Sequence, residues 1–264
     1  MTDGAAARTD APLGRTTEGA AMELRLRGRT ALVTGAAGGI GRAVARTLAD
    51  EGMRLVLLDR DESGLRETAE PITDAVIRVA DVTAEDQVAA AVGTDVLHAV
   101  VCCAGISGPV GSGIEQTPLA AWEAVFAVNV TGAFLVLKHA LPALRRADAA
   151  AVVLVASDSA VVASPGMAPY CASKAALVQF GRALSVDLAG DGIRVTSVSP
   201  SVVDTPMSRG DLGVDGFGDA PYPVQSADEV ADHVAYLLSP RARAINGTGI
   251  LADFGVSARS GFPA

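Results

Sequence analysis

Tyr170 and Lys174 stand four residues apart at the head of a helical pattern, so on a helix they share one face. A free phenol titrates at about 10, and a neighbouring ammonium favours its ionised form. Such a pair can pass a proton to or from a carbinol or carbonyl oxygen. Ser157 lies thirteen residues before Tyr170, just past the apolar run 152–156, where its hydroxyl can hold an oxygen that is gaining charge. Asn129 sits within a long apolar stretch, 119–144. Taken singly, each reads as a packing or surface residue. The tyrosine would be half-buried, the lysine solvated, and the asparagine bonded to backbone; it is their conjunction that points to chemistry.

A second constellation suits a dinucleotide. The run 31–34 leads into Gly35-Ala36-Ala37-Gly38-Gly39-Ile40-Gly41, and a helical pattern follows over 40–51. Small residues let the backbone turn sharply and approach a pyrophosphate, and the helix N-terminus supplies free N–H groups. The next run, 55–58, ends at Asp59, eighteen residues beyond Gly41. A carboxylate there bonds both ribose hydroxyls of NAD and repels a 2′-phosphate, so NAD is expected over NADP. Arg60 follows and could hold that phosphate, but Asp59 occupies the nearer position. The bland alternative for Asp59 is a solvated residue that ends a strand.

The elements that must position these groups alternate. Apolar runs fall at 31–34, 55–58, 76–79, 96–103, 152–156, 195–198 and 249–252, and helical patterns at 40–51, 62–69, 84–92, 119–144, 172–189 and 227–238. The runs lack period-two alternation, as expected of strands covered on both faces. This predicts an α/β fold: a single Rossmann-type domain over 22–264, with a doubly wound parallel sheet of about seven strands and helices on both faces. The segment 207–225, rich in Gly, Asp and Pro, reads as a long substrate loop. Residues 1–21 lack an apolar core segment and read as a disordered tail rather than a secretory signal.

Half of the residues are apolar and the net charge is −9, which argues against nucleic acid as a partner. Cys102, Cys103 and Cys171 form no disulfide framework and suit reduced thiols in a cytoplasmic protein. No metal-ligand spacing involves them or His98, His139 and His233. No apolar run is expected to reach the length of a membrane span.

Thr34-Gly-Ala-Ala-Gly-Gly-Ile-Gly41, Asp81-Val82, Asn129-Val-Thr-Gly132, Ser157, Tyr170-Cys-Ala-Ser-Lys174, the segment 193–201 and Thr205-Pro-Met207 follow one another along the chain. In this order they resemble the short-chain dehydrogenase/reductase (SDR) family over about residues 24–255. The resemblance implies an NAD(H)-dependent oxidoreductase that interconverts a secondary alcohol and a ketone. Tyr170 would be the acid/base, and Lys174 would lower its pKa and bond the nicotinamide ribose. Ser157 would hold the substrate oxygen, and Asn129 would support a water-mediated proton relay.

The cofactor would lie against Gly35, Ala37, Gly39, Ile40, Gly41, Asp59, Arg60, Asp81, Val82, Cys103, Ala104, Gly105, Pro200, Val203 and Thr205, with Tyr170 and Lys174. Four positions depart from the family pattern. Cys102-Cys103 replaces a usual Asn pair, Ser201 a usual Gly, and Phe254 one Gly of a usual Asp-Gly-Gly.

Candidate substrate contacts are Ser157, Ser159, Met167, Tyr170, Ser201 and Met207, with Ile106, Ser107, Pro109, Val161 and Pro165 as further wall. These are mostly apolar, which suggests an uncharged, fairly hydrophobic alcohol or ketone; Arg209 is the residue that would overturn this. The stretches 119–144 and 172–189 resemble the family's subunit interface, and a homotetramer is expected, with a dimer second. Competing readings are an epimerase or dehydratase that recycles its NAD, or a non-catalytic NAD(H)-binding protein.

Overall fold

The structure is a computed structural model that describes residues 22–93 and 95–259. The stretch 1–21 read as a tail, and residues 260–264 of the expected domain, lie outside the described residues. The strands are β1 (Thr30–Thr34), β2 (Arg54–Asp59), β3 (Val76–Val79), β4 (Ala99–Cys102), β5 (Ala150–Val155), β6 (Ile193–Pro200) and β7 (Gly249–Ala252). They form one sheet in the order β3-β2-β1-β4-β5-β6-β7, and each neighbouring pair is parallel. The order reverses between β1 and β4, so a crevice opens beyond their carboxyl ends.

Alternation is present along the strands, but both of its phases are apolar. Ala31, Val33, Leu55, Leu57, Val101 and Val153 belong to the core on one face. Leu32, Val56, Leu58, Val100, Val152 and Leu154 belong to the core on the other. With no polar beat between them, each strand reads in sequence as a continuous run.

The helices are α1 (Gly39–Asp50), α2 (Glu62–Ala69), α3 (Glu85–Ala91), α4 (Leu119–Phe126), α5 (Ala133–Leu144), α6 (Ala168–Asp187), α7 (Pro206–Leu212) and α8 (Ala227–Leu238). Residues of α1, α2 and α8 complete the first core, through Val44, Leu48, Leu65, Val230 and Val234. Residues of α3, α5 and α6 complete the second, through Val88, Leu135, Leu137 and Leu177.

Four expectations need correction. The stretch 119–144 is not one regular α-helix: α4 and α5 are joined by a π-helical turn at Ala127–Gly132. An 18-residue window within Leu119–Leu144 has a mean hydropathy of 1.7, so the stretch is apolar and long enough to cross a membrane, contrary to the expectation that no stretch reaches that length. Here Val125, Asn129, Leu135 and Leu144 are buried within the fold.

The segment 207–225 is not all loop either. Thr205 caps α7, its hydroxyl accepting from the Ser208 N–H at 3.3 Å while its own N–H donates to Ser208 Oγ at 3.1 Å. Pro206 fits the first helical position, and Gly213 ends the helix at φ 64°. These local signals outweigh the Gly- and Asp-rich composition. Finally, α6 begins at Ala168, so Tyr170 lies in its first turn.

Candidate active site

Ser157, two residues beyond β5, is extended and caps a 3₁₀ turn at Asp158–Ala160. Its Oγ accepts from the Ser159 N–H at 3.1 Å and donates to Asp158 Oδ1 at 3.0 Å. The Tyr170 phenol lies beside the Ser157 hydroxyl, close enough for the two to interact. Lys174, one helical turn on, is buried; its Nζ donates to the Val155 carbonyl at 3.0 Å and lies 5.5 Å from the centre of the Tyr170 ring. The three residues named in advance therefore meet at the end of β5.

Burial dominates their electrostatics. Burial pushes the Tyr170 phenol up to about 12; the Ser157 hydrogen bond works against this, while the charges of Asp158 and Asp211 add to it. Burial likewise pushes Lys174 down to about 8. Removing either charged form from water costs more than the nearby partners return. Burial thus sets the direction of the shift for both groups.

Asn129 is buried in the π-helical turn. Its Oδ1 accepts from the Ile106 N–H at 2.8 Å, and its Nδ2 donates to the Ile106 carbonyl and to Ser173 Oγ, each at 2.9 Å. Both amide hydrogens are thereby committed. Asn129 is a brace between the chain after β4 and α6. Thr34 Oγ1 adds a second tie by accepting from the Ala104 N–H at 3.3 Å. Together these ties serve the segment in which cysteines stand where the family has asparagines. Cys102 and Cys103 are free thiols, and burial holds both well above the usual thiol range.

The fit to a dinucleotide can be judged from the chain itself. A cleft of about 350 Å³ opens over the glycine turn, from Asp59 and Arg60 past Val82 to Gly105 and Thr205. Gly35 has φ 65°, and a Cβ there would lie 2.7 Å from the Ala104 nitrogen. A Cβ on Gly41 would lie 2.0 Å from the Gly35 carbonyl oxygen. No side chain caps α1 at Gly38, which leaves its first N–H groups facing the turn. Asp59 Oδ2 accepts from the Ala37 N–H at 3.1 Å. These features fit a pyrophosphate and ribose.

Of the residues named for the cofactor, Gly35, Gly39, Ile40, Gly41, Asp59, Arg60, Asp81, Val82, Cys103, Ala104, Gly105 and Thr205 line the cleft. Ala37, Pro200, Val203, Tyr170 and Lys174 do not. Ala37 turns toward α2, its carbonyl taking Arg42 Nη2 at 2.6 Å, and Val203 is buried beside Gln225. Gly38, Ala80, Ile106, Val128 and Pro206 also line the cleft and were not named for it. Each adjoins a named residue in the chain, a proximity that sequence reasoning could have used.

On the substrate side, Ser159 sits against Ser157, and Met167 immediately precedes α6. Ser201 pairs its N–H with the Ala252 carbonyl at 3.0 Å. Met207 lines the cofactor cleft instead. Sequence reasoning missed Asp158 and Asp211. The first adjoins Ser157; the second, on α7, accepts from Ser107 Oγ at 2.8 Å.

A family profile described as enoyl-(acyl carrier protein) reductase matches residues 35–257. The chain is 35% identical to the mitochondrial borneol dehydrogenase of Lavandula x intermedia, over 88% of this chain and 92% of that one. It is 36% identical to the 2-(R)-hydroxypropyl-CoM dehydrogenase of Xanthobacter autotrophicus, over 85% and 97% respectively. Among solved structures, the 3-ketoacyl-(acyl-carrier-protein) reductase from Brucella melitensis complexed with NADH superposes with a TM-score of 0.81 at 30% identity, covering 88% of this chain and 99% of that one. With its parallel sheet, glycine turn and Ser157–Tyr170–Lys174 cluster, the chain belongs to the short-chain dehydrogenase/reductase family and is an oxidoreductase of CH–OH groups.

Proposed function

We propose that the protein interconverts a secondary alcohol and a ketone with NAD(H), using Tyr170 as acid and base. The observation that carries this reading is the meeting of the Tyr170 phenol and the Ser157 hydroxyl beside Lys174, beyond the end of β5 and next to the dinucleotide cleft. A bound nicotinamide dinucleotide supplies the hydride acceptor or donor. In oxidation Tyr170 Oη takes the alcohol proton, and in reduction it returns a proton to the carbonyl oxygen. The Ser157 Oγ proton is directed at Asp158, so Oγ offers lone pairs to a substrate hydroxyl. As negative charge grows on the substrate oxygen, that oxygen competes with Asp158 for the same proton. Lys174 and Asn129 brace the site through Val155 and Ile106, and Lys174 would bond the nicotinamide ribose.

Preference for NAD over NADP is supported by the glycine turn. The Asp59 carboxylate is fixed to the Ala37 N–H, and its Oδ1 takes the Asp61 N–H at 3.1 Å. It cannot swing aside for a phosphate without losing both bonds. The nearby guanidinium of Arg42 is already engaged by the Ala37 carbonyl, Thr68 Oγ1 at 3.0 Å and Glu67 at 3.0 Å. That leaves Arg60 as a lone cation facing an acidic neighbour.

The same reading makes the working unit a homotetramer in the cytoplasm. Exposed Leu119, Phe134 and Val186, on α4, α5 and α6, support a partner surface. The test is a panel of secondary alcohols with NAD+ and NADP+, followed by reduced-nicotinamide absorbance, with Tyr170→Phe as control. Turnover with NAD+ that disappears in the variant is expected. Equal rates in Tyr170→Phe would remove the acid/base assignment, and faster turnover with NADP+ would remove the cofactor preference.

A further inference from the structure

Three segments meet on the substrate side of Tyr170: residues 104–118, 157–169 and 207–225. Ser107 bonds Asp211, the Gly111 N–H donates to the Gly166 carbonyl at 3.1 Å, and the Ser157 hydroxyl lies beside the Tyr170 phenol. Between them these segments carry five acids, Glu115, Asp158, Asp211, Asp215 and Asp219, and one base, Arg209. That base is not available to a ligand, because Asp204 holds it by two bonds, Nε to Oδ1 at 2.6 Å and Nη2 to Oδ2 at 2.9 Å. The residue that sequence reasoning left as a possible anion clamp is therefore neutralised by the residue just before the α7 cap.

Asp211 is placed differently. It projects from α7, is half-buried, and is steadied by the buried Ser107 hydroxyl through one oxygen. Its other oxygen receives no hydrogen bond from the described residues, although a carboxylate has room for about four. It is also close enough to act on the Tyr170 phenol through space, as Asp158 is. A ligand whose oxygen sits at Tyr170 must bring its remaining atoms past this carboxylate. A donor there gains a charge-assisted hydrogen bond, whereas an anion meets like charge in a partly desolvated site.

We propose that Asp211 is a specificity determinant that turns the site toward alcohols bearing a second hydrogen-bond donor, an ammonium or a further hydroxyl, and against carboxylates, phosphates and sulfonates. The proposal replaces a fairly hydrophobic substrate with a donor-bearing one, and it rests on the alcohol–ketone reading of the same site.

The experiment is calorimetric titration of the full chain, saturated with NADH, with four 4-substituted cyclohexanols: the amine, the diol, the methyl compound and the carboxylate. The amine or the diol is expected to bind at least about ten-fold tighter than the carboxylate. Comparing those two arms tells an ammonium from a hydroxyl. In Asp211→Asn the ratio should fall several-fold; in Ser107→Ala, which frees the carboxylate to move, it should fall less. Binding of the carboxylate as tightly as the donors, a ratio unchanged in Asp211→Asn, or no binding by any member overturns the proposal. Turnover of the tightest-binding alcohol with NAD+ tests the reaction separately. Its absence with the binding order intact would remove the alcohol–ketone reading and leave the role of Asp211 in place.

Discussion

Lys174 holds its ammonium 5.5 Å from the centre of the Tyr170 ring while donating to the Val155 carbonyl, at a position shut off from water. Its pKa is pushed down from 10.5 to about 8 by that burial. The folded chain therefore binds this proton less tightly than the unfolded chain does. The resulting penalty is complete below pH about 8 and vanishes as the pH rises through 10.5. Lys174→Met should abolish turnover and yet stabilise the fold by about 1–3 kcal/mol at neutral pH, raising Tm by on the order of 5 °C. Thermal denaturation at pH 6.5 and pH 9.5 checks this, because the gain should shrink at the higher pH.

Asp158 takes the Ser157 proton and lends its charge against ionisation of Tyr170. The phenol, at about 12, lies above its free value, so alcohol oxidation should climb with pH across the alkaline range. In Asp158→Asn that climb should begin at lower pH, by roughly one unit. A full profile of kcat against pH for both proteins decides it, and coincident profiles would show that Asp158 acts on Ser157 alone.

Asp59 serves the turn as well as the expected ribose. Asp59→Ala frees the Ala37 N–H and removes the charge that disfavours a 2′-phosphate. The ratio of kcat/KM for NADP+ over NAD+ should rise by about ten-fold. Binding of NAD+ should weaken at the same time. Steady-state kinetics with each cofactor measures both effects.

The glycine turn tolerates no added atom at Gly41, where a Cβ would lie 2.0 Å from the Gly35 oxygen. Gly41→Ala should cost about 1–3 kcal/mol as the turn deforms. Affinity for NADH should fall with it, read by fluorescence titration. Gly38→Ala, where a Cβ meets nothing within 4 Å, is the matched control and should cost far less.

What was legible in the sequence follows from which interactions are local. The bounds of α2 and α8 are fixed nearby: Asp61 caps the first, and Ser226 with Glu229 closes a reciprocal box on the second. Ser157, Tyr170 and Lys174 come together because β5 and α6 are joined by a short connection. Asp211 was out of reach, since its partner Ser107 lies 104 residues away and only the tertiary fold brings them together. The π-helical turn was hidden because Ala127–Gly132 keeps an apolar composition while changing its pitch. The direction of the Tyr170 and Lys174 shifts depended on burial, which spacing alone does not report.

Every group assigned to chemistry sits beyond the carboxyl ends of the strands, and the opposite rim is knit by different means. There Arg29 Nη1 donates to the Ala149 carbonyl at 3.0 Å, and the Thr30 N–H donates to His98 Nδ1 at 3.1 Å, at the entrances of β1, β4 and β5. The molecule thus has a working end and a fastening end separated by the length of its strands. Changes that harden the fastening end, or attach it to a support, leave the machinery at the other end untouched. An engineer could therefore tune heat tolerance and substrate choice as two nearly independent dials.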